Sequence, residues 1–404
     1  MSMFQKKGQF LFLCCFTYMC SYLCRVNLST ALERMGAALG ATSSALGLLG
    51  AAYFLCYAFA QLVCGFFGDR VRPERLVCLG LTGIAATNLG VSFCTGYGAI
   101  MALWCANGVF QAMLWGPMSR LLAGRFSPGE RVTASTFLSL SMPSAYILTW
   151  SVMAPLLAGS PWALSFRIPG AIILLPAVLW IALAAGGGNG GALATVSTAK
   201  PSSAELLRTI REERLWLVAA GCLSNGILKE SFTIWAPVIL TRLLGMDAKG
   251  SALYLVLFPL CNAAMIALSG RILRRTGISM RLSLTVQCGL VAACAAVLML
   301  VSCPAALTVV LMALISGFGY AANNIYMGVL PMCYAEQNIT STLVGLFDFS
   351  AYVGAGAASW GLGLLITGSD LTAIAAVWMG AAVVSLIALA FCRGRLAQRR
   401  ATGG

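Results

Sequence analysis

Histidine is absent from this 404-residue chain, and charge of either sign is scarce: 26 lysines and arginines and 12 aspartates and glutamates make up only 9% of the residues. Without histidine, the commonest metal ligand and the usual near-neutral acid–base group are both missing. Sixteen cysteines are present, but nearly all stand singly inside apolar runs and no Cys-Xaa-Xaa-Cys pair occurs. Zinc, haem and redox sites therefore have no ligand set to build on, and no cofactor is expected. No nucleophile, base and orienter form a recognisable set, so the chain does not read as an enzyme. No nucleotide-binding motif appears either, which leaves a substrate or ion gradient as the energy source for any transport.

A soluble domain carries about 25% charged residues. The shortage of charge, with 60% hydrophobic residues and a mean hydropathy of +0.88, places this chain in a lipid bilayer. Stretches of about 20 apolar residues span a bilayer, and twelve are legible: roughly 9–31, 45–67, 75–95, 97–122, 133–159, 162–185, 215–243, 250–272, 282–302, 305–332, 341–367 and 371–392. Lys6 and Lys7 before the first stretch resemble a signal peptide, but no small-residue cleavage site follows, so an uncleaved first helix is expected.

The basic residues orient the spans. With both termini in the cytoplasm, twenty of the 26 basic residues fall on cytoplasmic loops, and Arg34, Arg242 and Lys249 fall outside. This agrees with the positive-inside rule. The net charge of +14 is then mostly topology, and no nucleic-acid partner is expected because no basic cluster belongs to a soluble domain.

Residues 186–214, "GGGNGGALATVSTAKPSSAELLRTIREER", break the apolar pattern and divide the spans six and six. The expected domains are an N-terminal bundle over 1–185, a cytoplasmic linker over 186–214, and a C-terminal bundle over 215–404 with a short basic tail. A weak repeat supports the division. "GFFGDRVRPER" follows the second span and "GRILRRTGISMR" the eighth, while Arg25 in the first span and Lys229 in the seventh lie 204 residues apart. Two parallel six-helix halves around a midplane site are the pattern of the major facilitator transporters. The fold class expected is an all-α membrane protein of twelve transmembrane helices in two pseudo-symmetric six-helix bundles.

The loop "GFFGDRVRPER" resembles that superfamily's signature between helices 2 and 3. The resemblance implies close helix approach at Gly65 and a cytoplasmic gate containing Asp69 and Arg70, with the aspartate facing the start of helix 11. A narrower likeness covers most of the chain. "YMCSYLCRVN", "CYAFAQLVCGFFGDRVRPER", "NGVFQAMLWGPMSRLLAGRFSPGERV", "KESFTIWAPVIL" and "VGLFDFSAYVGAGAASWGLG" resemble the organophosphate:phosphate antiporters, among them glycerol-3-phosphate and hexose-6-phosphate transporters. The stretch from Gln111 to Arg131 keeps that group's Gln111, Trp115-Gly116-Pro117, Arg120 and Glu130-Arg131 positions; Arg120 and Arg131 join the implied gate.

In that group helix 1 presents two tyrosines and an arginine, matched by Tyr18, Tyr22 and Arg25. Residues at i, i+4 and i+7 share one helical face, so two hydroxyls and a guanidinium line one stripe. Arginine offers paired planar donors suited to phosphate or carboxylate. The group's second cation falls on Lys229, a point charge rather than a fork. Tyr57, Gln61 and Trp115 gain a substrate-binding role from the family positions, and Asn324 is a polar candidate in helix 10. Asn323 shares that reading, though interhelical hydrogen bonding explains both amides equally well.

Several positions depart from the glycerol-3-phosphate branch. Gln61 replaces a lysine, Met142 a histidine, Ala321-Ala322 a Gly-Pro, and Asp348 a glycine, while Glu230 directly follows Lys229. Asp348 either pairs with Lys229, recognises a cationic substrate group, or shares with Glu230 the role of coupling carboxylate. The expected function is secondary active transport of a small organic anion, an organophosphate exchanged for inorganic phosphate, by alternating access. The alternatives are proton-coupled transport of a carboxylate, zwitterion or drug-like substrate, and a transporter-like sugar-phosphate sensor. The expected partners are that anion, inorganic phosphate and the lipid bilayer, for a monomer in the cell membrane (the inner membrane of a bacterium).

Overall fold

A computed structural model describes residues 6–41, 43–69, 71–157, 159–186, 203–246, 254–367 and 371–397. Among the described residues the chain is helical and holds no strand. Its long helices are α1 (Lys7–Leu39), α2 (Ser43–Gly68), α3 (Pro73–Val91), α4 (Tyr97–Arg125, broken between Gln111 and Trp115), α5 (Arg131–Leu156) and α6 (Leu164–Ala185). After a short helix at Ser203–Glu212 come α7 (Leu215–Val238), α8 (Leu257–Thr276), α9 (Met280–Leu300), α10 (Ala305–Met332), α11 (Thr340–Thr367) and α12 (Leu371–Phe391).

Eight of these helices are long and apolar enough to cross a membrane on their own. The other four are α3, α7, α8 and α11, of which α7 carries Lys229 and Glu230, α8 carries Arg271, Arg274 and Arg275, and α11 carries Asp348. The first helix runs well past the expected 9–31. Hydropathy marks the apolar part of a span, whereas the hydrogen-bonded ladder continues to Leu39. It stops at Gly40, whose φ of 60° glycine adopts without strain and whose N–H closes on Gly36 O.

The chain divides into two compact units: Met1–Pro201 with Pro331–Leu346, and Ser202–Leu330 with Phe347–Gly404. The segment Pro331–Leu346 thus packs with the first unit.

In the first unit, small residues let helices approach closely, as in membrane bundles generally. A β-carbon on Gly83 of α3 would collide with the Phe110 ring of α4, and one on Gly170 of α6 would press on Asn88 and Leu89 of α3. Buried amides then fasten α1. Asn27 donates to Asn88 Oδ1 at 2.8 Å, Asn107 donates to Cys24 O at 3.1 Å, and Gln111 donates to Ser21 O at 2.7 Å. Trp180 is fully buried, donates to Thr17 Oγ1 at 2.9 Å and meets the Phe10 ring edge-on.

The second unit has an aromatic centre. The ring of Phe232 of α7 lies tilted against Trp378 of α12 with 4.6 Å between ring centres, and 5.8 Å from Phe258 of α8. Ile315 and Met312 of α10 and Ile374 of α12 close this core. Helices α7 and α11 cross almost backbone to backbone: a β-carbon on Gly226 would lie 1.8 Å from Ala351 O, and one on Gly354 2.0 Å from Leu223 O.

Candidate functional site

Two cations sit among aromatic rings, one in each unit. Arg25 lies midway along α1, and its guanidinium carbon stands 4.8 Å from the Tyr57 ring centre, 5.1 Å from Tyr22, and 5.5 Å from both Tyr53 and Phe54. Its Nη1 donates to the Tyr22 hydroxyl at 3.4 Å. Ring faces attract a cation electrostatically and leave its formal charge in place. The expected stripe on α1 is formed: the Tyr18 and Tyr22 ring centres are 5.1 Å apart, and the Tyr18 ring lies tilted against Trp115 with 4.8 Å between ring centres. Gln61 donates to the Tyr57 hydroxyl one turn away on α2. Tyr18, Tyr22, Arg25, Tyr57, Gln61 and Trp115 are therefore one contiguous group.

Tyr53, Phe54 and Tyr146 belong to the same group and were not singled out in the sequence. Tyr53 lies one turn before Tyr57 on α2 with its ring stacked 6.2 Å away, so the i, i+4 spacing of two tyrosines was the available signal. Tyr146 of α5 meets Tyr22 edge-on at 6.1 Å. No motif marked it.

In the second unit Lys229 Nζ lies 3.2 Å from Glu230 Oε1, with both side chains about 95% buried. The ammonium also lies 5.6 Å from the Tyr320 ring centre and 5.4 Å from Tyr352. Adjacent helical residues point about 100° apart, yet these two long flexible side chains reach round the helix to meet. Asp348 is buried on α11, one turn before Tyr352. Asn324 is buried where α10 changes from α-helical to π-helical geometry at Asn324–Val329. Such π segments occur frequently at functional sites.

A third cluster lies in the first unit where α2 ends. Asp69 is fully buried and accepts hydrogen bonds from the backbone N–H groups of Ser341 at 2.9 Å and Thr342 at 2.6 Å, both at the start of α11. A carboxylate there answers the unpaired N–H groups and positive dipole of the helix N-terminus. Arg120 Nε stands 3.9 Å from Asp69 Oδ1, and Arg120 Nη1 donates to Val71 O at 3.0 Å. Burial pushes the Asp69 carboxyl up to about 6, against the lowering effect of those N–H groups and Arg120. Gly65 makes the approach possible, since a β-carbon there would lie 2.6 Å from Ser341 O. Arg131 Nη1 donates to Met332 O at 3.0 Å, and its Nε donates to Ala123 O and Phe126 O. Arg70 lies outside the described residues.

A family model described as Major Facilitator Superfamily matches residues 14–359. The chain belongs to the Major Facilitator Superfamily. It is a multi-pass membrane protein. Among curated relatives of this major facilitator, a probable hexose phosphate transport protein of Chlamydia muridarum is 27% identical over 175 residues, covering 43% of this chain and 33% of that protein. The glycerol-3-phosphate transporter of Bacillus subtilis is 28% identical over 171 residues, covering 40% of this chain and 37% of its own length. The matched part thus spans about a third of these relatives. Among solved structures, the major facilitator transporter FucP in its outward conformation aligns with a TM-score of 0.73 over 94% of this chain and 98% of its own, at 16% identity. That likeness is one of fold.

Proposed function

We propose that this major facilitator transporter carries a small organic anion, an organophosphate exchanged for inorganic phosphate, by alternating access. The observation that carries the reading is the Arg25 cage, in which aromatic rings and the Tyr22 hydroxyl hold a guanidinium inside an apolar helix. Arginine's paired donors suit a phosphate's oxygens. Similarity to proteins named as hexose phosphate and glycerol-3-phosphate transporters supports the same substrate class.

Arg25 is the principal ligand of the anionic group and Lys229 the second. Tyr18, Tyr22, Tyr57, Gln61, Trp115, Asp348 and Asn324 complete the substrate contacts. Substrate competes with Glu230 for Lys229, so an arriving anion releases a carboxylate. Gly65, Asp69, Arg70, Arg120 and Arg131 act as a cytoplasmic gate. The bundles 1–185 and 215–404 are the moving bodies, joined by 186–214, in a monomer whose two termini face the cytoplasm from the cell membrane.

Glu230 and Asp348, buried to within 4% and 6% of full enclosure, favour a second reading: proton-coupled transport of a carboxylate, zwitterion or drug-like molecule, with one of these carboxylates carrying the proton. A thermal-shift series on the detergent-solubilised protein separates the two, because a ligand of the native state raises its stability by mass action. Shifts with inorganic phosphate and sugar phosphates, lost in Arg25→Ala, support the organophosphate reading. Shifts confined to carboxylates or amino acids overturn it.

A further inference from the structure

Helix α8 of the second unit buries one stripe and exposes the opposite one. Phe258, Asn262, Ile266, Ser269 and Leu273 are buried. A turn of about 100° per residue puts Leu260, Ala264, Leu268, Arg271 and Arg275 on the far side. Leu260 and Leu268 are 51% and 49% exposed, and Ala264, Arg271 and Arg275 are exposed with them. Neither arginine forms an ion pair with a carboxylate among the described residues. An apolar stripe thus runs straight into two guanidiniums one turn apart.

The neighbouring helix ends place those guanidiniums at the edge of the apolar belt. Arg281 Nη1 donates to Cys392 O at 3.4 Å and Arg214 Nη1 to Phe391 O at 3.3 Å, so the starts of α9 and α7 and the end of α12 stand at one level. Leu282, Trp216 and Phe391 are exposed there, and aromatic residues collect where hydrocarbon meets headgroups. From Leu260 to Arg271 the stripe rises about 16 Å, which is about half the hydrocarbon thickness of a bilayer.

Two simpler roles do not account for this placement. Setting topology requires basic residues in the loop, not on the stripe that faces lipid. Answering the helix dipole suits Arg274 and Arg275 in the last turn, but the effect fades before Arg271. The segments 203–214, 271–281 and 393–397 at this end hold nine arginines and three glutamates, so a ligand drawn to it carries net negative charge.

We propose that the outer stripe of α8 is a site for one anionic phospholipid. Its phosphodiester lies between Arg271 and Arg275, whose planar donors each suit paired phosphate oxygens, and an acyl chain follows Leu268, Ala264 and Leu260. A zwitterionic headgroup binds less well, because its ammonium meets a surface that is already cationic. The site is separate from the one proposed for the transported anion.

The test is native mass spectrometry of the purified full chain in detergent with equal amounts of phosphatidylglycerol and phosphatidylcholine. The wild type is compared with an Arg271→Gln, Arg275→Gln double variant and with Arg208→Gln, an exposed arginine at the same end that is paired with Glu212. Each arginine beside an anionic headgroup is worth about fivefold in affinity. The wild type therefore retains phosphatidylglycerol in about tenfold excess, the double variant retains the two lipids about equally, and Arg208→Gln behaves as the wild type. Arg271→Gln alone is read in the same way if the double variant does not fold. Equal retention by the wild type, or a preference that survives in the double variant, overturns the proposal. An equal fall in Arg208→Gln overturns it as well, since the preference then belongs to the whole basic end. Thermal unfolding with inorganic phosphate separates lipid from a soluble anion: the shift is the same in wild type and double variant, and its loss in the double variant would assign the arginines to the soluble anion instead.

Discussion

Placing an arginine at the centre of a membrane helix costs roughly 2.5–3.5 kcal/mol on insertion scales. A desolvated cation–π contact returns about 2 kcal/mol or more, and Arg25 has four rings within 5.5 Å. The rings therefore make the charge tolerable and orient it. Arg25→Lys keeps the charge but loses the fork and the stacking, so phosphate affinity should fall about tenfold, while Arg25→Ala should abolish binding with the fold intact. Titration of both variants with inorganic phosphate checks this. Asp69 gives a pH prediction. Its carboxyl is raised from an ordinary value near 4 to about 6, so the native chain holds this proton more tightly than the unfolded one. The contribution is full below about pH 4 and is lost as pH rises through about 6. Asp69→Asn should flatten the unfolding temperature across that window relative to the wild type; an unchanged profile would refute the assignment. At this scale the sequence showed Tyr18, Tyr22, Arg25 and Asp69, because each sits at a spacing tied to a helical face or a loop signature. It did not reveal Tyr146, because a lone tyrosine in an apolar helix reads the same whether it packs, bridges helices or meets a ligand.

Close crossings at glycine set where the functional side chains stand. Gly226 and Gly354 seat α7 on α11, which carries Tyr352 to Lys229 and places Asp348 one turn away. Gly226→Ala puts a β-carbon 1.8 Å from Ala351 O, and such overpacking typically costs about 1–3 kcal/mol. Gly356→Ala on α11 meets nothing within 4 Å and should be neutral or slightly stabilising, since alanine is the better helix former. Opposite shifts of the two variants in thermal unfolding would confirm that the crossing, and not glycine content, is what matters. Equal shifts would contradict it. Element existence was legible because twelve apolar runs stand out against scarce charge. Element ends were less so: α1 continues to Leu39 through "TALERMGAAL", where hydropathy falls but hydrogen bonding does not. The π segments in α5 at Thr149–Met153 and in α10 at Asn324–Val329 leave no compositional mark.

For the whole molecule, the family follows from a match over residues 14–359, and the sequence had already indicated it through "GFFGDRVRPER" and the paired cations 204 residues apart. The cations differ in kind. Arg25 is surrounded by rings, and Lys229 is held by Glu230 at 3.2 Å. In the proposed reading, a substrate anion that takes Lys229 from Glu230 leaves a buried carboxylate to find a new partner or a proton, which is where exchange and proton coupling part ways. In the exchange reading, Glu230→Gln removes one carboxylate from beside Lys229 and should raise phosphate affinity while slowing turnover, because release then lacks that competitor. Counterflow at saturating and limiting phosphate would separate the two effects. The most direct measurement is uptake of radiolabelled glycerol 3-phosphate or glucose 6-phosphate into liposomes carrying the purified chain and preloaded with inorganic phosphate, at equal pH on both sides. The account predicts uptake that depends on internal phosphate, moves no protons and disappears in Arg25→Ala. Uptake that needs a pH gradient, or that survives in Arg25→Ala, would contradict it.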